Sequence, residues 1–498
     1  MKKTIIATLT LILMPLCYAK ESPIAPAELF RQPGFAKDFV GSYGILSDVE
    51  PDVSDTEQKL LTRLQPLFDG SKFSEAETML IQYIKETEKP SDPTLQPGEI
   101  SPALVFVLGN LYFQSEKLDD ARRAFLEAIR RFPKFRRAHT NLGYLYIKQE
   151  KMDEALASFQ KTVELGEKSP RVMGMLGYCY MVKQNAIAAE IAYRQAYLID
   201  PNARDWKLGL AQTLQMQEKH VEAASMFGNL IKENPQDRQL WMRQTSAYIA
   251  CDKKNEAILN LEMLKLMKLS DEKSLSLLGN LYMDQEQPLL ALQAFTAAME
   301  ISQPLNITQA IKSARIMNDY GKAKEAAELI LNIRNKAGET LSATDRLSLD
   351  LAEVKVARAQ NQLAQVGIIL ARLLKDNPTN PEILLETAKH YDQLARNEQN
   401  EDKQKQHIGE AKTNYQLAMQ YDVTAYQANL GFGQMLIRDS RALDALPYIE
   451  KALSLKKSEI LEQYTARVRR AADREKIKKE REEADRAAKE TAKENPKK

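Results

Sequence analysis

The 498-residue sequence is poor in the side chains that most often carry chemistry: it holds three Cys, four His and two Trp. The histidines are His139, His220, His390 and His407, and no two stand at metal-ligand spacing. The patterns His-Glu-x-x-His, Gly-x-Ser-x-Gly, Gly-x-Gly-x-x-Gly and the phosphate loop do not occur. The expectation is a chain that is not an enzyme and takes no metal or cofactor. A formal net charge of +2 lacks the basic excess that wrapping nucleic acid requires. Nineteen Gly and twenty Pro are too few for a fibrous chain, and 44% hydrophobic residues are too many for a disordered one. No stretch reaches eighteen apolar residues, so no transmembrane segment is expected.

What is present begins with an address. Met1-Lys2-Lys3 is basic, and Ile5 to Leu16 is an apolar run too short to span a bilayer. Small residues at Cys17 and Ala19 predict a signal peptide over 1–19, cleaved after Ala19, and a periplasmic location. Lipid attachment at Cys17 is the weaker reading, because Leu16 is bulky where that signal wants a small residue. Cleavage leaves Cys179 and Cys251. The repeat described next sets them two units apart, roughly 20 Å when helices stack about 10 Å apart. A disulfide needs Cα atoms within about 7 Å, so two unpaired, mostly buried thiols are predicted.

A pattern recurs every 34 residues: large–x2–Leu–Gly/Ala–x2–Tyr, then Ala–x3–Phe/Tyr, then Pro. One copy has Val105, Leu108, Gly109, Tyr112, Ala121, Phe125, Ala128 and Pro133. Another has Met173, Leu176, Gly177, Tyr180, Ala189, Tyr193, Ala196 and Pro201. Six units start at 102, 136, 170, 204, 238 and 272 without an insertion. Apolar residues at i, i+3, i+4 and i+7 mark helices, and each unit reads as two antiparallel ones. Gly or Ala at the eighth position lets them approach, and Pro near the end stops the second. One hairpin cannot bury its apolar face alone, so neighbours must stack.

The flanks are looser. Residues 20–53 are an extended segment with Phe30, Phe35, Phe39 and Tyr43, read as a strap on its own array or a docking segment. Residues 54–89 form a degenerate hairpin, 90–101 a Pro-rich linker, 102–305 the six regular units and 306–456 further degenerate hairpins. About eleven extra residues around Arg396–His407 either lengthen two helices or form a loop. Residues 457–498 are a capping and charged helical tail, with Ile460, Leu461 and Tyr464 expected inward. From Arg467 onward it holds thirteen basic and eight acidic residues, so the near-zero sum hides a basic tail on a mildly acidic array.

The 34-residue pattern resembles the tetratricopeptide repeat family. The resemblance implies an all-α, right-handed superhelical solenoid of about eleven hairpins. It also implies a protein- or peptide-binding concave groove lined by first helices. Carried onto this sequence, the groove residues are Phe106, Asn110, Phe113, Arg137, Asn141, Tyr144, Arg171, Tyr178, Met181, Gln212, Met216, Met242, Asn280 and Met283. A carboxylate clamp known in the family is matched by Asn110, Asn141 and Arg171, but Phe106 and Met175 stand where two cations belong. The basic cluster Arg130, Arg131, Lys134, Arg136 and Arg137 reads as a solvated edge or a site for an anionic partner.

Gly41-Ser42-Tyr43-Gly44, Phe135-Arg136-Arg137-Ala138 and Ala192-Tyr193-Arg194-Gln195-Ala196 resemble exported bacterial repeat proteins found beside TonB-type systems. That similarity implies a non-catalytic scaffold accessory to outer-membrane transport, within an envelope complex. The alternatives are a chaperone or assembly factor for a pilus or secretion apparatus, and a saccharide-binding adaptor.

Overall fold

The computed structural model describes residues 48–494 apart from 93, 95, 339 and 340. The signal peptide, Cys17 and residues 20–47 of the extended segment lie outside the described residues. Among the described residues there are 23 helices and no strand. They form eleven successive hairpins and one terminal helix, an all-α architecture of tetratricopeptide type. The chain divides into two compact units, one ending at Leu269 and one beginning at Ser270.

The first unit holds the degenerate hairpin, with helices Asp55–Asp69 and Phe73–Glu88, and the first five regular units. Local chemistry sets the helix ends. Ser101 and Ser169 cap the helices Pro102–Gln114 and Pro170–Val182, each with Pro in its first turn. Second helices open on acids, Asp119 and Asp120 in one and Asp153 and Glu154 in the next, which suit the positive helix end. Between the two helices of each unit one residue turns left-handed: Glu116, Glu150, Gln184, Glu218 and Asp252, at φ 58 to 61°. None of these is Gly, although a Cβ costs about 1–2 kcal/mol in that conformation.

The recurring spacing of the repeat is a steric device. A Cβ added at Gly109 would lie 2.6 Å from the Phe125 ring, and one at Gly143 would lie 2.8 Å from Phe159. At Gly177 it would lie 2.8 Å from Tyr193. Each glycine of a first helix thus receives an aromatic ring from its own second helix, and all three rings are buried. Tyr193 also packs on Gly209 of the following unit, and Trp206 lies against Gly174 of the preceding one. The linker is pinned rather than loose: the Ser101 N–H donates to Glu57 Oε1 at 2.7 Å, and the Gly98 N–H donates to the Thr87 carbonyl at 2.8 Å.

From Ser270 onward the hairpins grow. Helices Ala343–Ala359, Pro381–Asn397 and Asp422–Arg438 have 17 residues each, and Glu401–Ala418 has 18. The extra residues near Arg396 therefore lengthen both helices, with 398–400 as the connection. Three buried carboxylates tie neighbouring hairpins. Asp350 pairs with Arg334 and Arg372, Glu386 with Arg358 and Lys389, and Asp392 with Arg396 and Arg438. The terminal helix Glu459–Glu494 packs through Leu461, Thr465, Val468 and Ala472, a helical period. Ile460, expected inward, is 63% exposed; it sits just off that stripe, and Tyr464 is half-buried.

Candidate peptide-binding face

The residues assigned to the groove separate by burial. Ten are buried: Phe106, Asn110, Phe113, Asn141, Tyr144, Tyr178, Met181, Gln212, Asn280 and Met283. Arg137, Arg171 and Met242 are half-buried, and Met216 is 38% exposed. Asn280 and Met283 stand on helix Glu272–Asp284 in the second compact unit, and the other twelve in the first.

Their contacts explain the burial. Asn141 Nδ2 donates to Asn110 Oδ1 at 2.8 Å, so the two asparagines join consecutive first helices. The Tyr144 ring meets Phe159 edge-on at 5.3 Å, inside its own hairpin. Burial raises the Tyr178 phenol above its ordinary value. The Thr213 hydroxyl contacts Met181 Sδ at 3.8 Å. Two cations lie over aromatic faces: Arg137 is 5.4 Å from the Phe106 centroid and Lys148 Nζ 5.1 Å from that of Phe113. The aromatics of the list thus belong largely to packing, and Arg137, Arg171, Met216 and Met242 carry what the face presents to solvent.

One occupant of this face is the chain itself. The Arg136 N–H, in the first turn of helix Arg136–Lys148, donates to the Val49 carbonyl at 3.1 Å. Arg137 Nε donates to Glu50 Oε2 at 2.9 Å. Pro51 is buried. Val49 and Glu50 were not among the sequence-derived site residues. Their signal was the acid alternation of Asp48, Glu50 and Asp52 set against the basic cluster of residues 130–137. That cluster is partly engaged already: Glu127 takes Arg130 and Arg131 at 2.7 Å each, which holds its carboxyl down at about 2. Second helices also present an aliphatic row that the repeat pattern does not require, with Ile187, Ile191, Leu198, Leu259 and Leu266 each more than half exposed.

The groups capable of other chemistry are buried or half-buried. Both described cysteines are free; Cys179 is buried, Cys251 half-buried, and burial pushes the Cys179 thiol up to about 12. His139 is half-buried with Nε2 3.1 Å from the Pro133 carbonyl. Burial, then the Arg358 and His407 charges, bring His390 down to about 4. Among the described residues no group of three or more His, Cys, Asp or Glu is placed to hold a metal ion. No helix among them is long and apolar enough to cross a membrane.

Two family models match, both described as tetratricopeptide repeat, at residues 106–170 and 170–203. No curated protein matches the chain. Solved structures that resemble it include a tetratricopeptide repeat protein from Parabacteroides merdae, 20% identical, covering 50% of this chain and 94% of that one at TM-score 0.34. YrrB, described as a TPR protein with an unusual peptide-binding site, is 18% identical over 44% of this chain and 97% of its own, at TM-score 0.32. MamA from Desulfovibrio magneticus RS-1 is 14% identical over 34% and 97%, at TM-score 0.31. The chain therefore carries tetratricopeptide repeats, matched directly over residues 106–203 and continued by further helix hairpins on either side.

Proposed function

We propose that the protein is a non-catalytic scaffold of the periplasm that holds protein or peptide partners against its first helices, accessory to a TonB-type outer-membrane transport system. The observation that carries the binding reading is the segment Val49–Pro51. The segment is held on the first helix of the second regular unit through one backbone and one side-chain contact. Tetratricopeptide repeats as a class bind proteins and peptides through such faces. The export signal and the short resemblances named above support the envelope role.

The test is photo-crosslinking in the native envelope, with the crosslinker at exposed Met216 on a first helix or at exposed Leu259 on a second helix. One stoichiometric envelope partner captured from Met216 and not from Leu259 is the expected result. Recovery of the protein outside the periplasmic fraction would overturn the location, and no Met216-specific product would overturn the face. Capture of many unfolded clients from both positions would favour an assembly chaperone instead.

A further inference from the structure

We propose that the junction of the first two regular units recognises an acidic peptide, and that Asp48–Asp52 is the chain's own occupant of that site. The inference rests on the reading of the first-helix face as a peptide site and adds its chemistry.

Three features converge there. The Arg136 N–H is one of the donors that a helix start leaves without an intrahelical acceptor, and the Val49 carbonyl satisfies it at 3.1 Å. That contact seats the turn at residues 48–50 at the positive end of the helix, where acidic side chains are favoured. Arg137 supplies the reading head. Its guanidinium is stacked on buried Phe106 at 5.4 Å and donates from Nε to Glu50 at 2.9 Å. With side-chain exposures of 25% and 13%, this pair is better shielded from solvent screening than most ion pairs of the molecule. The third feature is pattern. Asp48, Glu50 and Asp52 alternate with Val49, Pro51 and Val53; the chain turns at 48–50, with Glu50 half-buried and Asp48 and Asp52 exposed. Of the five cations between 130 and 137, Arg130 and Arg131 are held by Glu127 and Arg136 lies 3.6 Å from Glu167, and Lys134 adds to the positive field around Arg137.

The occupant is an imperfect ligand. Among the described residues, buried Glu50 Oε1 accepts no hydrogen bond. A peptide whose carboxylate satisfies both oxygens gains what Glu50 leaves unused, so a partner can displace the segment. The cis segment then acts as a tethered competitor. A short tether holds it at an effective concentration on the order of millimolar, which sets a threshold that a trans ligand must exceed.

The probe is a fluorescent peptide with the sequence of residues 46–54, and a control peptide with amides in place of its three acids. Anisotropy titrations use the full-length chain, as wild type, Glu50→Ala, Arg137→Lys, and the Glu50→Ala/Arg137→Ala double variant. Glu50→Ala is expected to bind the acidic peptide at least fivefold more tightly than wild type. The double variant is expected to bind at least tenfold more weakly than Glu50→Ala, and Arg137→Lys, which keeps charge but loses the planar fork, to fall between. The control peptide should not bind, and high salt should weaken the complex. Unchanged helicity of Glu50→Ala, whose substituted residue lies outside every helix, excludes a folding effect. Equal affinity of wild type and Glu50→Ala, or no binding by Glu50→Ala, overturns the proposal. If acid-free peptides bind Glu50→Ala while the acidic probe does not, the first-helix reading stands and this inference falls alone.

Discussion

Gly143 tests the packing argument at one atom. Adding a methyl there gains about 1 kcal/mol, the helix-propensity difference between Gly and Ala. It also sets that methyl 2.8 Å from the buried Phe159 ring, which Tyr144 holds from another side at 5.3 Å. Overpacking of this kind costs about 1–3 kcal/mol. Gly143→Ala is therefore expected to destabilise by about 1 kcal/mol net. In a Phe159→Ala background the ring is gone and only the propensity gain remains. That background itself costs about 3–5 kcal/mol, and within it Gly143→Ala should stabilise by about 1 kcal/mol. The sign reversal is the measurement, read as a double-mutant cycle from urea unfolding by far-UV circular dichroism. Because stacked hairpins open locally, hydrogen exchange of the amides in Arg136–Lys148 should show the same reversal. An identical effect of Gly143→Ala in both backgrounds would refute the steric account.

Four further outcomes follow. Glu218→Gly, at φ 58°, should stabilise by up to about 1 kcal/mol and so raise the urea midpoint, because Gly enters the left-handed region without a Cβ clash; a lowered midpoint would contradict the turn geometry. Burial alone would raise Glu386, but the Arg358 and Lys389 charges outweigh it and hold it at about 2, below its ordinary 4.5. Its contribution is then complete above pH 4.5 and lost as pH falls toward 2, so Glu386→Gln should flatten the stability profile in that window. His390, at about 4 against an ordinary 6.5, is buried neutral. Stability should therefore decline as pH falls from 6.5 to 4, and His390→Gln should remove that slope; an unchanged slope would refute the assignment. In thiol labelling of the native chain at neutral pH, Cys251 should react and Cys179 only on unfolding, since burial keeps the Cys179 thiol protonated up to about 12. Comparable rates at the two positions would contradict this.

The sequence by itself determined the hairpins. A 34-residue spacing of Leu, Gly, Tyr, Ala and an aromatic specifies which faces meet, because a helix brings i, i+3, i+4 and i+7 together and a glycine leaves room for one ring. It also sufficed to leave the two thiols unpaired, from unit spacing alone. Tertiary structure decided what depends on neighbours. The residues near Arg396 extend their helices, because Asp392 gives Arg396 a buried partner one turn back that also binds Arg438 of the next hairpin. Tyr144 sits at a register position shared by groove residues, yet its ring turns into the hairpin against Phe159. Ile460 faces solvent because the terminal helix buries the stripe one residue further on. Arg137 was legible as a groove residue, whereas its carboxylate, Glu50, lies 87 positions away. Local periodicity carries no information over that distance, and only the folded chain brings the acid to the base.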